Sequence, residues 1–211
     1  NIINDSTNDM FNPTKGSFNR VSFTISPNDI SDDPFYKLIL TNKNYFSLKR
    51  SNDYFFFNNN IGIAESLNSK LKTINAFSLG GNNFRGFGYR GIGSKSGNIY
   101  LGGNKFFTST LGYGSSFVFD KKDNINIKLF TTVGSLWDSD YSNDDFELRT
   151  SAGISLDFIT AVGPISFSYA VPIEKSSNDT SRNFSFTIGS SFWWFLFASF
   201  FVIFPTLNFS Y

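Results

Sequence analysis

The sequence predicts an all-β fold, an antiparallel transmembrane β-barrel wall with about eight strands. Three observations predict it. Apolar and small polar residues alternate with period two over most of the chain, as half-buried strands require. The connections alternate between long and short, as in barrels that cross an outer membrane. The composition is aromatic yet polar: 28 Phe, 9 Tyr and 3 Trp in 211 residues, with a slightly negative mean hydropathy. A soluble core would draw more on Leu, Ile and Val. Aromatics mixed with Ser, Thr and Asn suit a sheet with one greasy and one wet face.

The elements follow in order. Segments 18–26, 36–48 and 54–65 alternate with some noise, and 71–78 reads as a continuation of the third across a bulge. The pattern is clearest over 107–119. Phe107, Leu111, Tyr113, Phe117 and Phe119 share one face there, and Thr108, Thr110, Gly112, Gly114 and Ser116 the other. Segments 125–137, 148–158, 165–171 and 184–192 repeat it. Long connections fall near 27–35, 79–97, 138–146 and 174–182, and short ones near 49–53, 120–124 and 160–164. A bilayer offers nothing to satisfy open backbone groups, so a sheet that spans it must close. A soluble β-sandwich also alternates, but its wet face carries more Lys and Glu than the Ser, Thr, Gly and Asn found here.

Several function classes are excluded. The chain has no Cys and no His, which removes disulfides, thiol and imidazole chemistry and the common zinc sites. A net charge of +1 gives no reason to expect nucleic acid. Asp144, Asp145 and Glu147 cluster in a loop without any nucleophile motif, so no enzyme, metal or cofactor is expected. The chain starts at Asn1 rather than Met, so we read it as a fragment or a processed product.

The motifs add a resemblance. Asp9-Met-Phe-Asn-Pro-Thr-Lys-Gly16 forms a turn-like prelude. Leu79-Gly-Gly-Asn-Asn-Phe-Arg-Gly-Phe87 is followed by Gly91-Ile-Gly93 and Leu101-Gly-Gly-Asn104. Then come Val133-Gly-Ser-Leu-Trp-Asp138, Arg149-Thr-Ser-Ala-Gly-Ile154, Gly163-Pro-Ile-Ser-Phe-Ser-Tyr-Ala-Val-Pro-Ile173 and Asn183-Phe-Ser-Phe-Thr-Ile-Gly-Ser-Ser-Phe192. In this order they resemble the BamA-like outer-membrane protein assembly factors, of the bacterial surface antigen superfamily. The resemblance implies a barrel of about twice as many strands behind soluble periplasmic repeats. Residues 1–192 then form the C-terminal half of the barrel. It also implies a bacterial outer-membrane location and insertion of unfolded outer-membrane clients. Outer-membrane lipid and accessory assembly lipoproteins are the further partners. A polypeptide-secreting pore of the same superfamily and a diffusion porin are the alternatives.

By the same resemblance, the loop about 79–97 folds inward, with Phe84, Arg85, Gly86 and Phe87 as its motif and Arg85 facing acidic groups in the lumen. Two positions that carry acids in the family hold Thr132 and Gly112 here. Lumen-facing Asp157 is then the candidate partner of Arg85. The loop glycines could suggest a phosphate cradle, but no helix pattern follows them. Phe184, Phe186, Ile188, Gly189 and Phe192 form the closing strand and recognition signal, which Gly189 is expected to weaken. Residues 193–211 read as an atypical hydrophobic extension: an uncharged run from Trp193 to Phe204, then Pro205. A lengthened reading frame, a lipid-embedded segment and an extra strand remain open for it.

Overall fold

The computed structural model describes residues 1–189 except Ile30, 49–51, 121–122, Asp144 and 161–162, with backbone alone at 117–120 and 123–124. Phe192 and the extension 193–211 lie outside the described residues.

The strands are β1 (Ile2–Asp5), β2 (Gly16–Ser26), β3 (Phe35–Ser47), β4 (Asp53–Ser66), β5 (Gly86–Phe87), β6 (Lys95–Ser96), β7 (Ile99–Tyr100), β8 (Lys105–Asp120), β9 (Asp123–Trp137), β10 (Arg149–Thr160), β11 (Gly163–Glu174), β12 (Ser181–Arg182) and β13 (Phe184–Ile188). Nine make one antiparallel sheet in the order β1-β2-β3-β4-β8-β9-β10-β11-β13. Every neighbour follows in chain order once the short strands of the loops are set aside. The wall is therefore a meander, and among the described residues β1 and β13 are not paired with each other.

Eight of the nine strands are those read from the alternation. The ninth, β1, has four residues, Ile-Ile-Asn-Asp, which show no alternation. The segment 71–78 is no strand, contrary to expectation. The amide N–H of Asn75 donates to the Lys72 carbonyl, closing a turn, and that of Leu71 donates to Asp140 Oδ2 at 2.6 Å. The chain leaves the wall there and turns inward.

The two faces separate as the pattern requires. Phe23, Ile25, Phe46, Phe55, Leu111, Leu129, Tyr169 and Phe184 are exposed on the outer face. Thr108, Asn126, Thr132, Ser151 and Ser155 are buried on the inner one. The inner glycines make slots for rings. A Cβ on Gly112 would fall 2.1 Å from Cζ of Phe56, and one on Gly114 2.4 Å from Cζ of Tyr54. Small residues on the wet face thus let aromatic side chains from the next strand lie flat against the wall, which is why Tyr54, Phe56 and Phe130 form an inner cluster.

Candidate functional site

The link between β4 and β8, residues 67–104, folds under the wall. Its apolar residues Leu71, Phe77, Leu79, Phe84, Phe87 and Ile92 pack with Ala64, Phe106 and Leu136 of the strands. This is the largest apolar cluster described, and most of it comes from the loop. Burying several such side chains is worth roughly 1.5–3 kcal/mol each before entropy is counted. The close folding needs glycine at Gly80, whose φ is +118° and whose Cβ would fall 2.0 Å from the Gly88 carbonyl oxygen.

Phe84 and Phe87 are buried and meet edge to face at 5.0 Å. Phe84 seats over Gly134 of β9, where a Cβ would approach its ring to 2.9 Å. Gly86 has φ +97°, and its α-carbon faces Ser151 of β10. Between them, Arg85 projects its guanidinium over the Phe130 ring, with Cζ 3.7 Å from the centroid. Burial pushes the Arg85 pKa down, and the Asp157 charge acts the other way. Asp157 itself pairs with Lys128 Nζ at 2.6 Å and accepts the Ser166 hydroxyl. Among the described residues Arg85 makes no ion pair. Thr132 is buried with its hydroxyl 2.9 Å from that of Thr110. Where the family resemblance leads one to expect carboxylates around the arginine, this chain supplies an aromatic face. Arg85, Lys128 and Asp157 line one cavity of about 300 Å³, with Asn126 and Thr187 on its walls.

A second set of residues was not singled out in the sequence. β12 pairs with β5, joining Ser181 to Phe87 and Arg182 to Gly86. The Gly88 N–H donates to the Thr180 carbonyl and the Thr180 N–H to the Gly91 carbonyl, both at 2.8 Å. Asp179 anchors this strap: Oδ1 accepts the Gly93 N–H at 3.2 Å, and Oδ2 accepts Arg149 Nε at 3.0 Å and the Ser176 N–H at 2.8 Å. Arg149, also buried, donates to the Glu147 carbonyl and pairs with its carboxylate at 3.1 Å. The connection before β13 is therefore tied to the inward loop. An arginine on the inner face at the start of β10 was the available signal, since a buried guanidinium demands a carboxylate.

The last described strand, β13, pairs with β11 from Tyr169↔Phe184 to Ile165↔Ile188. Phe184, Phe186 and Ile188 face outward and Ser185 is buried. The Thr187 hydroxyl donates to Asn82 Oδ1 at 3.0 Å, a further tie to the inward loop. Gly189 donates its N–H to the Pro164 carbonyl at 2.6 Å, and a Cβ there would fall 2.4 Å from Cγ of Pro164. This glycine is required by its contact with Pro164 at the start of β11.

A meandering wall with a greasy outside, a polar inside and a long loop packed against its inner face is the architecture of part of a membrane β-barrel protein. The chain belongs to the Omp85 superfamily, whose domain model matches residues 1–192. It is 28% identical over 92 residues, covering 32% of this chain and 12% of the relative, to the outer membrane protein assembly factor BamA of Neisseria meningitidis serogroup B. It also superposes on the crystal structure of BamA from Haemophilus ducreyi lacking POTRA domains 1-3, with TM-score 0.78 and 26% identity over 89% of this chain and 41% of that one. The chain spans less than half the length of either relative. Omp85 barrels are assembly and transport proteins of the bacterial outer membrane, and not enzymes.

Proposed function

We propose that residues 1–192 form the C-terminal half of the barrel of an outer-membrane protein assembly factor, which inserts unfolded β-barrel clients into the bacterial outer membrane with the help of accessory lipoproteins. The observation that carries this reading is the match of the wall to a BamA barrel over 89% of this chain, at TM-score 0.78. β13 is the last described strand of that wall, and in the full barrel its outer edge is the seam at which a client enters. An unpaired edge is a template onto which another strand can add. No covalent bond changes. A client strand pairs with β13, successive hairpins follow, and the new sheet closes and leaves.

A photo-crosslinker is placed at Ser185 of β13 and, separately, at Ser22 of β2, in the full protein reconstituted in vesicles and given an unfolded client barrel. Crosslinks to the client at Ser185 and not at Ser22 support the reading. Equal labelling at both, or steady ion conductance without client capture, overturns it in favour of a transport pore.

A further inference from the structure

One outward-facing feature of the wall breaks its apolar pattern. Asn4, Asn19, Asn42 and Asn59 are direct cross-strand neighbours on β1 to β4, and Ser109 of β8 continues the row. The face is fixed by their neighbours. Lys43 and Tyr45 of β3 turn inward, Lys43 over the Phe18 ring and Tyr45 against Tyr54, so Asn42 and Asn44 between and beside them turn outward. Above the row stand Val21, Leu40 and Ile61, aligned with one another and exposed. Below it stand Phe46, Phe55 and Phe57, also exposed. On β3 and β4 the amides thus sit between apolar residues on either side, inside the band that meets lipid.

The amides bond to each other incompletely. Asn42 Nδ2 donates to Asn19 Oδ1 and Asn44 Nδ2 to Asn42 Oδ1, both at 2.6 Å, and Asn59 Nδ2 reaches Asn42 Oδ1 only at 3.5 Å. Each amide carries two N–H donors. Both on Asn19 and one each on Asn42, Asn44 and Asn59 have no partner among the described residues. Hydrocarbon cannot supply one, and each unmet donor in lipid is costly. The groups are uncharged, so they call for a neutral or zwitterionic acceptor rather than a counter-ion.

We propose that this asparagine row is a lipid-facing polar site that draws water and the phosphate and ester oxygens of lipid headgroups down the outside of β2 to β4. It lies on the side of the sheet remote from β13. The site rests on the reading of the chain as a membrane-spanning wall.

The test places a nitroxide at Ile61→Cys, beside the row, and at Leu129→Cys, an outward position on β9, in the full protein in phosphatidylcholine vesicles. Collisions with a water-soluble nickel chelate and with oxygen are compared. Nickel access several-fold higher at position 61 than at 129, falling to the level at 129 in the Asn42→Leu, Asn59→Leu background, is the expected result. Equal, low nickel access at both positions in the unaltered background overturns the proposal without needing the variant. So does a label at 61 shielded from both reagents, which shows a protein covering the row. High nickel access at both positions instead overturns the membrane-spanning reading beneath it.

Discussion

At the scale of single residues, the inner face of this wall works by subtraction. Gly134 is small so that Phe84 can seat on β9, and Phe130 offers a ring where Arg85 arrives. Replacing Gly134 with alanine puts a Cβ 2.9 Å from the Phe84 ring and 2.5 Å from the Phe107 carbonyl oxygen. Overpacking of this kind costs about 1–3 kcal/mol. The expected outcome is a loop that trypsin cuts at Arg90 under conditions where the unaltered protein is resistant. Phe130→Leu keeps most of the volume and removes the π face. A desolvated cation–π contact is worth ~2 kcal/mol, so amide exchange across 84–92 should quicken by roughly tenfold or more. Unchanged exchange would show that the ring only fills space.

At the scale of elements, the strap shows where sequence reasoning reaches and where it stops. Period-two alternation identified every strand longer than four residues in the wall, because burial on one face writes itself into residue type. β1 escaped because four residues at an edge, exposed on both faces, carry no such imprint. The segment 71–78 misled because Leu71, Ala76 and Phe77 serve the loop core and only imitate a strand. The loop about 79–97 drew attention through its glycines and the Phe84–Phe87 motif, and only the family resemblance suggested that it folds inward; the apolar residues from Leu71 to Ile92 pack on the inner face. Asp179 was not, since one aspartate in an Asp- and Asn-rich connection looks like any other until Arg149 is found beside it. That pair makes a sharp prediction. Removing one partner of a buried ion pair costs about 3–5 kcal/mol. Asp179→Leu alone should free the Gly88 and Thr180 amides to exchange. Adding Arg149→Met should restore part of the protection, because the uncompensated guanidinium is then gone. If the double variant is as labile as the sum of the single ones, the two residues do not act together.

At the scale of the whole molecule, the sheet has nine strands and two ends that do not meet among the described residues. Its outer face exposes many large apolar side chains, and its loop core hangs from one side of the wall. Such a sheet is stable only when lipid or detergent covers the outside and further strands cover β1 and β13. The Haemophilus ducreyi barrel protein matches this chain over 41% of its own length, which leaves room in a full protein for those strands. The chain alone in detergent should therefore gain β-sheet by circular dichroism but run on a gel at the same position before and after boiling, since a wall without closure unravels in dodecyl sulfate. Refolded as part of the full-length protein, it should acquire the faster, heat-sensitive mobility of a closed barrel. A heat-sensitive band from the chain alone would mean that nine strands, or two copies of them, close by themselves, and the assignment of this chain to half a barrel would fall.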